Sequence, residues 1–99
     1  MPVIETSAAA EEDLINIWLY TYQEWDEAQA DHYLDGIEGA LKLLSGSPLI
    51  CPEQEELTPP VRIHSHNYHL IVYEVTDDGI YIIRVLHENM DIDERLGDS

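Results

Sequence analysis

Two apolar runs on either side of Asp77-Asp78-Gly79 constrain this chain more than any other feature. Tyr68 to Val75 and Ile80 to His87 are rich in β-branched and aromatic residues, and the Asp/Gly cluster between them is turn chemistry, so the segment reads as a β-hairpin. A two-residue loop at Asp78-Gly79 would mix polar and apolar residues on both faces. A three-residue loop over Asp77-Asp78-Gly79, with Gly79 left-handed, pairs Val75 with Tyr81, Tyr73 with Ile83 and Ile71 with Val85. One face is then wholly apolar, and Leu70, Val72, Glu74, Ile80, Ile82, Arg84 and Leu86 fall on the other, because side chains alternate along a strand. This second register is the expected one.

The rest of the chain supplies a cover for one face. Pro2 to Thr6 is short, alternating and β-prone. Ser7 is a helix N-cap, followed by Glu11, Glu12 and Asp13 near the positive end of the helix dipole. Leu14, Ile17, Trp18, Thr21 and Trp25 form one stripe of that helix, and Ile15, Leu19 and Tyr22 form a second. A helix this apolar touches two things. Asp26 with Gln29 three residues on is a second start signal, so a very short connection makes a helical hairpin. Ala30, Tyr33, Leu34, Ile37, Leu41 and Leu44 follow at helical spacing. Gly36 and Gly39 inside it imply close approach of a neighbour, and Gly46 with Pro48 ends it. Residues 47–60 hold four prolines and an acidic run, a loop. Val61 to Ser65 alternates as a strand. The order is β-α-α-β-β-β: an α+β domain spanning residues 1–99, with a helical hairpin on an antiparallel sheet and the first strand on an edge. After His87 the tail, through Ile92 and Leu96, is expected to fold back over part of the outer face.

Charge narrows the function. Twenty-one acidic residues face four basic ones, a net charge of −17. A nucleic-acid surface neutralises phosphates with Lys and Arg, so direct nucleic-acid binding and anionic membranes are disfavoured. A basic partner, or one held through apolar surface, is compatible, and so is adaptation to a salt-rich cytoplasm. There is no run of about 18 apolar residues and no signal-like N-terminus, which points to a cytoplasmic protein. Cys51 is alone, so no internal disulfide forms. No cofactor is called for.

Several segments together resemble a known family. Ala9 to Thr21 is similar to the first helix of ParE toxins of the RelE/ParE superfamily, and Ala28 to Ile37 to their second. His69 to Tyr73, and Ile83 to His87 followed by Met90-Asp91, resemble the closing strands and the RVLHxRMD ending. The resemblance covers about Glu5 to Leu96. Basic residues frequent in the family are replaced here at Ser65 or His66, Glu74 and Asn89. The resemblance implies a toxin of a type II toxin–antitoxin system, neutralised by a ParD-like antitoxin and acting on DNA gyrase, with no catalytic residues of its own. It also leaves two alternatives: a RelE-like, ribosome-dependent mRNA endonuclease, or an inactive member that binds only antitoxin.

The residues weigh the same alternatives. Ribonuclease chemistry needs cations on the phosphate and groups that exchange protons. Arg62 and Arg84 with His64, His66, His69 or His87 are the candidates, against an unfavourable overall field. His64, His66 and His69 lack an evident carboxylate to complete a metal site. Arg84 near Glu74 reads as a surface ion pair. The apolar surplus points instead to a partner surface, comprising Ile15, Leu19, Tyr22, Leu70, Val72, Glu74, Ile82, Arg84, His87, Met90 and Asp91.

Overall fold

The computed structural model describes residues 3–57 and 60–89. Strand β1 (Val3–Thr6) leads into helices α1 (Ala8–Glu24) and α2 (Glu27–Gly46). Four strands follow: β2 (Glu53–Gln54), β3 (Val61–His66), β4 (His69–Val75) and β5 (Gly79–His87). They form one sheet in the order β1-β5-β4-β3-β2. The α+β class and the helical hairpin are as expected, and β1 lies on an edge. The sheet is mixed, because β1 runs parallel to β5 while the other neighbours are antiparallel. Strand β2 is an addition: two residues of the proline-rich loop pair with Val61 and Arg62.

Both helix starts are capped by the residues that the sequence nominates. The Ser7 hydroxyl accepts from the Ala10 N–H at 2.9 Å, and the Asp26 carboxylate from the Gln29 N–H at 2.8 Å. Only Trp25 and Asp26 separate the helices, so the two must fold back antiparallel. Ala10, Ile17, Ile37, Ala40, Leu41 and Leu44 pack from the helices onto Ile71, Tyr73, Ile80, Ile82 and Val85 of the sheet.

The hairpin register is where the sequence reading needs correction. Its outer half pairs Leu70 with Leu86 and Ile71 with Val85, but a bulge at Val72/Tyr73 shifts the inner half by one residue. Tyr73 then pairs with Ile82 and Val75 with Ile80, and the Thr76 N–H donates to the Gly79 carbonyl at 2.9 Å across Asp77-Asp78. Ile80 and Ile82 therefore lie in the core beneath the helices instead of on the outer face. A bulge resets alternation, which lets both Ile82 and Val85 point inward although they are three apart.

Gly79 is required for a different reason than a turn. It has no positive φ; a Cβ there would overlap the backbone of Val3, whose N–H donates to the Asp78 carbonyl at 2.9 Å. The left-handed residue is Asn67 (φ 52°) between β3 and β4, a conformation that Asn tolerates better than most. Close approach explains Gly36, where a Cβ would stand 3.2 Å from His66 Nε2. It does not explain Gly39, which faces open space.

A second apolar cluster lies on the outer sheet face. Val61, Val72 and Leu86 are buried there with Leu57 from the proline-rich segment, flanked by Ile63 and Ile83. That segment thus covers surface expected to be open. The Ile92 and Leu96 expectation lies outside the described residues.

Candidate functional site

Where β1 ends, the free edge of β5 is satisfied by the start of α1. The Ser7 hydroxyl donates to the Ile83 carbonyl at 2.6 Å, and the Val85 N–H donates to Asp13 Oδ2 at 3.0 Å. Asp13 also takes Arg84 in a fork, Nε to Oδ2 at 2.8 Å and Nη2 to Oδ1 at 2.9 Å. Arg84 is therefore engaged with α1, not with Glu74 as the sequence suggested. This latch sets the angle at which α1 leaves the sheet.

Beyond the latch, α1 and the far ends of β4 and β5 diverge around a half-open groove of about 680 Å³. Asp13, Asn16, Ile17, Tyr20, Thr21 and Trp25 of α1 and its C-cap form one wall. Gln29 and Tyr33 of α2 stand at the back, and Tyr68, His69 and His87 form the other wall. No Lys or Arg is among the lining residues. Tyr20, Trp25 and Tyr68 are 65%, 74% and 65% exposed, an unusual share of aromatic surface around one groove.

The back of the groove is fixed by a Tyr–His network. Tyr33 Oη lies 2.6 Å from His69 Nδ1, and the His69 ring meets the His87 ring edge-on with centroids 5.5 Å apart. Burial, then His87 and His66, push His69 down to about 4. Burial likewise raises Tyr33 above its ordinary value. Both groups are thus neutral near pH 7.

The other face of α1 carries the second stripe. Ile15, Leu19 and Tyr22 are 60%, 45% and 48% exposed, and Tyr22 stacks on Trp18 at 5.3 Å. Trp18 bridges the helices by donating from Nε1 to Asp31 Oδ1 at 2.9 Å.

Of the residues nominated from the sequence, the structure brings Ile15, Leu19 and Tyr22 together and places His87 in the groove. Leu70 is half-buried and Glu74 exposed on β4. Val72 and Ile82 are corrected as contact surface: both are 0% exposed, one in each core cluster, and so are out of a partner's reach. Met90 and Asp91 lie outside the described residues. The sequence reading missed Tyr20, Trp25, Gln29, Tyr33, Tyr68 and His69 as parts of one groove, and it placed Trp25 on a stripe of α1 with Leu14, Trp18 and Thr21. The signal for Trp25 was its place immediately before the Asp26 cap. A side chain on a two-residue connection projects past the helix bodies.

The groups nominated for phosphate chemistry fall in three places: Arg84 against α1, Arg62 and His64 at Cys51, and His66, His69 and His87 around Tyr33. Arg84 is held by Asp13, and Arg62 Nη1 donates to the Cys51 carbonyl. His64 Nδ1 sits 3.7 Å from Cys51 Sγ, away from the groove that His69 and His87 line. Among the described residues, no group of three or more His, Cys, Asp or Glu side chains is placed to hold a metal ion. No helix among them is long and apolar enough to cross a membrane.

Comparison with known proteins places this geometry among relatives. Residues 4–92 match the family model described as "ParE toxin of type II toxin-antitoxin system, parDE". The chain is 37% identical over 91 residues to Toxin ParE1 of Mycobacterium tuberculosis (strain ATCC 25618 / H37Rv), covering 91% of this chain and 93% of that protein. It is 31% identical over 91 residues to Toxin ParE1 of Caulobacter vibrioides, covering 92% and 94%. A solved structure titled "Chromosomal ParDE TA system from P. aeruginosa" shares the fold, with a TM-score of 0.75 at 18% identity over 88% of this chain and 96% of that one.

Proposed function

Because this chain belongs to the ParE toxin family of type II toxin–antitoxin systems, we propose that it works by protein–protein contact, held inactive by a ParD-like antitoxin and binding DNA gyrase when released. The observation that carries this reading is the large apolar and aromatic side chain that α1 leaves in solvent on two faces, with Ile15, Leu19 and Tyr22 on one and Tyr20 and Trp25 on the other. Large aromatic and aliphatic side chains clustered on a surface are what protein partners bury. An amphipathic helix laid along the Ile15-Leu19-Tyr22 stripe would remove it from water in one step.

The electrostatics agree with binding over catalysis. Arg62 and Arg84 are committed to Cys51 and Asp13. Recruiting them for phosphate would break the contacts that position the loop and α1. With a net charge of −17, the field around the chain also repels RNA.

Expression of the chain alone is expected to arrest growth. Co-expression of the small protein encoded beside it should restore growth, with the two eluting as one complex. Unimpeded growth with folded chain accumulating in the cell would contradict the proposal.

A further inference from the structure

We propose that the groove between α1 and the ends of β4 and β5 is a docking site for an arginine-bearing segment of a partner polypeptide, an inference that rests on the antitoxin reading above and names the chemistry of the contact. Three observations converge on a cation. The groove is walled by Tyr20, Trp25 and Tyr68, all mostly exposed. No Lys or Arg lines it, and His69 at its back is neutral near pH 7. The chain around it carries a net charge of −17.

Aromatic faces attract cations through their quadrupoles, and Arg is preferred over Lys because its planar guanidinium stacks on a ring while donating in plane. Asn16 and Gln29 are among the lining residues, and a side-chain carbonyl oxygen can accept from those donors. Asp13 is not the anchor, since its carboxylate is already taken by Arg84 and the Val85 N–H. The pull comes from the aromatic walls and from the overall field, which also accelerates encounter with a basic segment. An acidic or purely apolar segment would gain nothing from that field. The protein that neutralises this chain is accordingly expected to present a basic toxin-binding segment.

The test uses the full chain labelled with ¹⁵N and two synthetic pentapeptides, acetyl-Ala-Arg-Leu-Arg-Ala-amide and the same sequence with Gln for Arg. The arginine peptide is expected to shift the Trp25 indole N–H and the Tyr68 and His69 signals, with an affinity about tenfold above that of the glutamine peptide. Added salt should weaken it. Trp25→Ala combined with Tyr20→Ala should abolish the Tyr68 and His69 shifts; both positions are exposed, so the fold tolerates the change. Equal response to both peptides, shifts scattered over the acidic surface, or undiminished binding by the double variant would each overturn the proposal. Groove binding by the arginine peptide without any complex with the neighbouring protein would uphold the groove and fault the antitoxin reading. A full-affinity complex formed by the double variant would uphold the antitoxin reading and overturn the groove.

Discussion

One carboxylate, that of Asp13 on α1, accepts both arms of the Arg84 fork and the Val85 backbone N–H from β5. The side chains are 14% and 18% exposed, so the pair is largely shielded from water. Such hydrogen bonds to charged groups are worth more than neutral ones, and an orphaned partner costs its desolvation. Asp13→Ala strands a guanidinium and a strand N–H together. It is expected to lower unfolding free energy by about 2 kcal/mol, read from urea titrations. Arg84→Ala leaves the Val85 contact in place and should cost less. Equal costs would show that the strand contact is immaterial.

Two glycines should respond in opposite directions. At Gly79 a methyl would collide with the backbone of Val3, so Gly79→Ala must push β1 off the edge of β5. At Gly39 nothing lies within 4 Å, so Gly39→Ala should stabilise the exposed helix by up to about 1 kcal/mol. Thermal unfolding of the two variants decides this. The expectation fails if Gly79→Ala is neutral.

His69 should titrate far below its ordinary range. Its value is about 4 in the folded chain against 6.5 when free. The unfolded chain therefore takes up a proton in that window that the native chain refuses, so stability is present above about pH 6.5 and lost as pH falls toward 4. An NMR titration should find the His69 ring neutral at pH 5.5. His87→Gln removes a neighbouring charge that holds the midpoint down, and should move it upward. Between pH 7 and pH 5 the parent should lose stability relative to His69→Gln. A midpoint near 6.5 in the parent would contradict this account.

Salt should stabilise the chain. Asp13–Arg84 is the one ion pair among the described residues, so nearly all the acidic charge on those residues lacks a local partner. Self-repulsion at this charge destabilises the compact state, and screening shortens from above 10 Å to about 3 Å as salt rises to about 1 M. The melting temperature should climb across that range. A flat or falling curve would show that the repulsion is already relieved.

The fold was legible where local chemistry and pattern agree. Ser7 and Asp26 are capping residues followed by helical periodicity, and each caps the helix it announces. The burial of Ile37, Leu41 and Leu44 follows from spacing alone. The bulge at Val72/Tyr73 was not legible, because an inward Ile82 and an inward Ile83 satisfy the same apolar pattern; the parallel pairing of β1 with Gly79 to Ile82 accompanies the choice. The burial of Val72 was hidden for a related reason: it depends on Leu57, which belongs to a proline-rich segment with no periodicity. The exposed stripe of Ile15, Leu19 and Tyr22 was read from spacing. The groove was not, since Trp25, Tyr33 and Tyr68 meet only through tertiary packing.

The most direct measurement of the central claim is DNA gyrase supercoiling with the purified chain, run beside cell-free translation. A toxin that acts by binding should block supercoiling and leave translation and mRNA intact. Leu19→Asp, which charges the exposed stripe of α1, should weaken the block. Undisturbed supercoiling together with cleaved mRNA and halted translation would contradict the account.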